Sequence, residues 1–390
     1  MKHKTGIEEY FILKDGKKLR YGYTTGTCAA AAAKAAAKML LSGETVEEAA
    51  IQTPKGILLR LLIEDIQQRP GRVSCAVRKD GGDDPDVTDG ILIYAQVSLT
   101  EESEGISLDG GIGVGRVTKA GLSQKIGEAA INPVPGKMIL NEVRQICREY
   151  NYQKGLNIII SVPEGEQIAK RTFNPRLGIT GGISILGTSG IVVPMSEDAL
   201  IASIRLEMKM LAEAGAQYLV ITPGNYGQVF SQQEMDIDLT FSMKCSNYLG
   251  ETLDMAAELG IQGILFIAHI GKFVKVSGGI MNTHSRNADC RAELLAAQAF
   301  RAGAQGKVIQ NILDSVTTEE AVQILKAAGC LKETMEITAE KIQFYMDHRT
   351  RGDIKTAAII FSNVEGRLAD TKNVLELLQC IEQQRKEHRK

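Results

Sequence analysis

The stretch ILFIAHIGKFVKVSGGIMNTHSRNADCRAE, residues Ile264 to Glu293, decides how this chain is read. An apolar, β-prone run at 264–268 halts at His269, Gly271 and Lys272. A second apolar piece, 273–276, leads into Ser277, Gly278 and Gly279. Asn282, Thr283, His284, Ser285, Arg286 and Asn287 follow, and then a helical run. Two of the chain's five histidines lie here. A buried strand that runs into a polar, glycine-rich loop is how α/β proteins build a site.

Outward from this stretch the pattern is regular. Ser196, Glu197 and Asp198 start a helix that Gly215 stops. A strand at 217–222, a helix at 248–259 and the strand at 263–268 follow. Helices near 291–302, 318–328 and 338–348, a strand at 356–362 and a charged helix from Lys372 complete the half. Alternating helix and strand implies a parallel sheet covered on both faces, an α/β domain. The first half differs: strands at 49–53, 57–66, 72–78 and 91–100 and helices at 29–41 and 137–150 make it α+β. Glycines and prolines gather at 171–194, so the expected domains are 1–190 and 191–390.

At 390 residues two domains are the prior expectation. A net charge of −2 gives no reason to expect a nucleic-acid partner. No apolar run reaches the roughly 20 residues that span a bilayer, and the first ten residues show no signal-peptide core. Seven scattered cysteines with no CxxC spacing fit a reduced, cytoplasmic protein. His269 and His284 are too far apart to suggest a metal site. The run Asp80, Asp83, Asp84, Asp86 and Asp89 fits no EF-hand and reads as a solvated turn. No resident metal is expected.

Four further segments carry chemistry. YGYTTGTC, residues 21–28, enters an alanine-rich helix; its threonines and glycine suit either an anion site or an ordinary cap. GGIGVGR, residues 110–116, does not fit the dinucleotide spacing and reads as a loop, with Arg116 and Lys119 able to reach carboxylates. GITGGISILGTSG, residues 178–190, suggests a tight backbone path or hinge. PGNYG, residues 223–227, directly follows a strand, as His269 does. Both loops therefore sit at carboxyl ends of parallel strands, where open α/β sheets bind ligands.

With YTTGTCAAAAAKAA, NPVPGKMI, LGTSGIVVPMSEDAL, PGNYG, KCSNYLGETLD and the opening stretch read in order, the chain resembles the CbiD family. These are the cobalt-precorrin-5B C1-methyltransferases of anaerobic cobalamin synthesis. The resemblance runs from about Leu19 to at least Phe361. It implies methyl transfer from S-adenosylmethionine to C1 of a cobalt corrinoid, with cobalt present only in the substrate. It also implies an N-terminal domain like a permuted ribosomal-protein-S5 domain 2.

The residues then suggest roles. Thr24, Thr25, Thr27, Lys272 and Arg286 are expected to hold the corrinoid's carboxylates. Gly224, Asn225 and Gly227 are expected to meet S-adenosylmethionine, with Glu251 on its hydroxyls or amine. His269 or His284 is expected to polarise the macrocycle or take a proton, and a structural histidine is an alternative for either. A homo-oligomer is possible. Two rival classes stay open: a nucleotide-dependent kinase or ligase, and a non-catalytic tetrapyrrole carrier.

Overall fold

A computed structural model describes residues 3–14, 16–100, 105–172, 174–175, 177–224, 227, 230, 237 and 239–388. The chain divides into two compact units, Met1–Glu197 and Asp198–Lys390. The division falls a few residues beyond the expected join.

In the first unit a five-stranded mixed sheet runs Glu64–Arg69, Arg72–Arg78, Leu92–Leu99, Leu156–Ser161, Ile106–Gly110 across its width. The last two strands pair in parallel and the others antiparallel. The helix Thr25–Ser42 packs on the Arg72–Arg78 and Leu92–Leu99 strands and beside the helix Pro133–Glu149. Its alanines at 29–33 are fully buried, because a side chain of one methyl lets a helix lie close to a sheet. The helix starts four residues before the expected Ala29, at a threonine cap, and stops at Gly43 in the left-handed conformation. The expected strand at 57–66 is two strands, Leu58–Leu62 and Glu64–Arg69, in different sheets.

The glycine-rich segments serve packing. A Cβ on Gly113 would sit 1.7 Å from the Val162 carbonyl oxygen, and one on Gly182 would sit 2.2 Å from Gly113. The strands Gly113–Val114 and Gly182–Ile183 pair in parallel through this crossing. The 110–116 segment is thus a close backbone contact instead of a loose loop, and Arg116 is held by a bidentate pair to Asp109 (2.7 and 3.0 Å).

The acidic run is also not the expected solvated turn. Asp80 pairs with Arg20 (2.7 and 2.8 Å), and Asp83 accepts the Arg20 backbone N–H at 2.5 Å. Asp84 accepts from the Met195 N–H (2.8 Å), and Asp89 from the Gly81 N–H (2.7 Å). Asp86 meets the buried Lys79 ammonium at 2.7 Å. A lysine enters an interior only with such a partner.

The second unit is a five-stranded sheet in the order Ser242–Lys244, Tyr218–Thr222, Gly263–His269, Lys355–Ser362, Gly366–Asp370. The first four strands are parallel and the last is antiparallel. Gly263–His269 and Lys355–Ser362 are almost wholly buried, which is why both read as unbroken apolar runs. The segment 270–276, β-branched in part, is a short helix. The His269 side chain caps it, and backbone context overrides strand propensity. Helices at Lys307–Leu313 and, from Leu331 instead of Thr338, Leu331–Thr350 add to the expected set. Among the described residues, no helix is long and apolar enough to cross a membrane.

Two glycine substitutions test the packing account. Gly113→Ala forces a Cβ into backbone at a φ of +71° and should cost about 2–5 kcal/mol. Gly136→Ala, inside a helix with its nearest neighbour at 3.8 Å, should be neutral or stabilise by up to about 1 kcal/mol. Denaturant titration of both variants checks this; equal effects would contradict it.

Candidate functional site

Four parallel strands end on one edge of the second unit. At or just beyond their ends come Pro223-Gly224, Cys245-Ser246-Asn247, His269 and Asn363. From Tyr218–Thr222 the chain passes to the strand on one side, Ser242–Lys244, and then returns to the other side at Gly263–His269. The strand order therefore reverses between Tyr218–Thr222 and Gly263–His269. This is the switch point at which open α/β sheets take ligands. The two loops singled out by sequence flank it.

His269 sits at that switch point but is fully engaged. Its Nδ1 accepts the Gly271 N–H (3.1 Å) and caps the helix Ile270–Val276. A ring nitrogen that accepts carries no proton, so the proton is on Nε2, which donates to Glu319 Oε1 at 2.7 Å. Glu319 also accepts from the Ser362 hydroxyl (2.5 Å) and the Asn363 N–H (2.9 Å). One carboxylate thus ties two neighbouring strand ends together. Burial pushes the Glu319 pKa up, but the bonds from Ser362, Asn363 and His269 outweigh it, and the net shift is below the ordinary value. The expected proton-acceptor role for His269 gives way to that of a strut, since neither ring nitrogen is open.

Lys272, one helical turn on, faces the opposite side of the crevice. Its ammonium makes long contacts to the Pro223 carbonyl (3.4 Å) and the Ser246 carbonyl (3.5 Å). Ser246 is held at a φ of +54°, a conformation that costs a non-glycine residue about 1–2 kcal/mol. Burial lowers the Lys272 pKa, the neighbouring Cys245 site counters this, and Lys275 adds to the lowering. The buried Cys245 thiol is itself pushed up to about 12.

Lys275 holds the loop that follows. It is buried and donates to the Thr283 (3.1 Å) and Ala288 (2.8 Å) carbonyls. Thr283 in turn bonds Asn247, through N–H to carbonyl (2.9 Å) and hydroxyl to Oδ1 (3.2 Å). His284 and Arg286 are carried outward by this framework and are exposed. His284 Nδ1 accepts the Arg286 N–H at 3.0 Å, so its Nε2 carries the proton when the ring is neutral. Among the described residues that Nε2 has no partner. It can donate to a ligand.

Glu251 lies half-buried in the first turn of the helix Leu249–Glu258. Gly224 would accept a Cβ with nothing described within 4 Å, whereas a Cβ on Gly227 would meet the Ile267 carbonyl at 2.5 Å. Gly224 is therefore the glycine open to a ligand, and Gly227 the one required by packing. Asn225 lies outside the described residues. A pocket of about 190 Å³ opens between the starts of the helices Arg291–Arg301 and Thr318–Ala327; its lining includes Thr318, which lies against Gly271.

In the first unit the threonines face inward. Thr24 caps its helix by accepting the Thr27 N–H (3.3 Å). Thr25 both donates to and accepts from the Leu186 backbone (3.3 and 2.8 Å), and the Thr27 hydroxyl donates to the Gly190 carbonyl (2.7 Å). All three are buried. The Thr25 and Thr27 hydroxyls pin the 186–190 loop and that of Thr24 caps the helix, in place of the expected ligand.

Sequence reading missed Glu319, Ser362, Lys275 and Asn247. Two adjacent acids in TTEEA were the available signal for Glu319: Glu320 closes the cap with the Val316 N–H, leaving Glu319 for another task. The linkage has a definite sign. A carboxylate with a depressed folded pKa adds stability that is present above its ordinary value of 4.5 and lost as pH falls through the folded pKa. Glu319→Gln should lower the melting temperature at pH 7 and flatten the acid limb of stability below about pH 5. An unchanged acid limb would contradict the brace.

Comparison with known proteins places these elements in a lineage. The family model CbiD matches residues 12–194, and the model described as CbiD, C-terminal domain, matches residues 282–372. The cobalt-precorrin-5B C(1)-methyltransferase of Ruminiclostridium cellulolyticum is 50% identical over 93% of this chain and 94% of its own length. That of Alkaliphilus metalliredigens is 47% identical over 96% and 98%. A crystal structure of cobalamin biosynthesis protein CbiD from Archaeoglobus fulgidus shares 31% identity, covering 72% of this chain and 87% of that one, with a TM-score of 0.39. At such identity over nearly its whole length, this chain belongs to the CbiD family.

Proposed function

We propose that this protein transfers the methyl group of S-adenosylmethionine to C1 of cobalt-precorrin-5B, giving cobalt-precorrin-6A in anaerobic cobalamin synthesis. Relatives of that name, aligned over nearly the full chain, support the reaction. The switch-point crevice, with its one open glycine at Gly224, is the observation that carries the placement of the donor. Seven unpaired cysteines agree with work in a reducing cytoplasm. The mixed sheet under its two helices is compatible with an S5-like first unit.

The chemistry is an in-line displacement. The electron pair of the ring carbon forms the new C–C bond, the C–S bond breaks, and sulfur leaves with its pair as a neutral thioether. Little acid or base work is needed, so alignment supplies much of the rate, up to roughly 7–11 kcal/mol. The residues divide that task. Gly224 lets the donor approach backbone at the strand end, and Glu251 is placed for its hydroxyls or amine. His284, through its outward Nε2–H, and Arg286 are placed for the acidic arms or carbonyls of the corrinoid. The His269–Glu319–Ser362 brace keeps the two strand ends fixed while the ligands exchange. The kinase or ligase alternative rested on phosphate-cradling glycines, and those at 110–116 are occupied by backbone packing.

The test is a calorimetric titration with S-adenosylmethionine. Gly224→Val has open space and a permitted backbone, so its melting temperature should stay within about 2 °C of the wild type. Its affinity for the donor should fall at least about tenfold. Unchanged affinity would remove the donor from this loop.

A further inference from the structure

Two polar groups at the crevice lack the partners that burial demands. The Lys272 ammonium has three protons to donate, yet its contacts are two carbonyls at 3.4 and 3.5 Å. It has no acidic partner among the described residues. By comparison Lys275, on the same short helix, has a carbonyl at 2.8 Å and Asp289 at 3.9 Å. The second group is the hydroxyl of Thr222, last residue of its strand, which is fully buried without a hydrogen-bond partner. A half-buried ammonium without a counter-ion is costly unless a ligand brings the anion.

Two ligands could bring it. The corrinoid's carboxylates hang on the periphery of a wide macrocycle. S-adenosylmethionine carries one carboxylate, on the short amino-acid arm beside the sulfonium. Lys272 lies at the switch point, against the Pro223 carbonyl that opens the donor's loop, and so on the donor's side. Arg286, on the loop that follows, is exposed.

We infer that Lys272 binds the amino-acid carboxylate of S-adenosylmethionine, and so selects the intact donor over nucleosides that lack this arm. The inference rests on placement of the donor at the switch point. It reassigns Lys272 from the corrinoid, where the sequence had put it. It also explains the left-handed Ser246, whose carbonyl steadies the ammonium before the carboxylate arrives.

The experiment is a double-mutant cycle on the full chain. Wild type, Lys272→Met and Lys272→Arg are titrated with S-adenosylhomocysteine and with 5′-methylthioadenosine, which lacks the amino-acid arm. Each titration is run with and without the corrinoid, and melting temperatures confirm that the variants fold. A charge-assisted pair predicts that Lys272→Met weakens S-adenosylhomocysteine by about 10- to 100-fold. It should leave 5′-methylthioadenosine within about twofold, and Lys272→Arg should recover part of the loss. No weakening of S-adenosylhomocysteine, equal weakening of both ligands, or a loss seen only when the corrinoid is present overturns the assignment while leaving the donor site intact. Failure of wild type to bind either nucleoside, with the corrinoid present, overturns the donor site itself and this inference with it.

Discussion

Four parallel strands that end on one edge are the constraint on which the rest of the second unit depends. Because the Gly263–His269 and Lys355–Ser362 strands are buried on both faces, their backbone groups must pair with each other. Only at the carboxyl ends does the chain emerge with groups to spare. Reversal of strand order between Tyr218–Thr222 and Gly263–His269 puts the switch point there. The short helix after His269 divides the edge. Its capping histidine faces the Lys355–Ser362 end through Glu319, and its lysine faces the Pro223 and Ser246 carbonyls. One turn of helix separates a closed, braced side from an open side with spare positive charge.

That division separates rigidity from reactivity. A proton-transfer group at this position would need a free ring nitrogen, and His269 has none. The reaction does not ask for one. The proposed sulfonium donor would already carry its leaving group, so the protein's work would be to hold two ligands in line and keep the approach fixed. Fixed strand ends, a lysine-stitched loop at 283–288 and a left-handed Ser246 all serve placement.

The architecture of the second unit was legible because buried parallel strands announce themselves as apolar runs between helices. The crevice was legible for the same reason, since a strand must end somewhere and PGNYG and His269 mark the places. The first unit was harder. Its strand Leu156–Ser161, LNIIIS, lies between two partners inside the sheet and was not read from the sequence. Glycines misled where they lie close to other backbone: nothing in the sequence of 110–116 shows that Val162 and Gly182 come against it. The threonines at 24–27 looked like ligand donors because sequence cannot show that the 186–190 loop, some 160 residues away, takes their hydrogen bonds. His269 was found with two roles left open, because Glu319 and Ser362 meet it only in three dimensions.

The claim at the centre of this account is that the methyl donor occupies the crevice between the 218–222 and 263–269 strand ends. Hydrogen–deuterium exchange with S-adenosylhomocysteine, read peptide by peptide, tests it most directly. The account predicts slowed exchange at 222–227, 245–251 and 269–273, with peptides of Met1–Glu197 little changed. Protection confined to Met1–Glu197, with the crevice peptides exchanging as before, would contradict it.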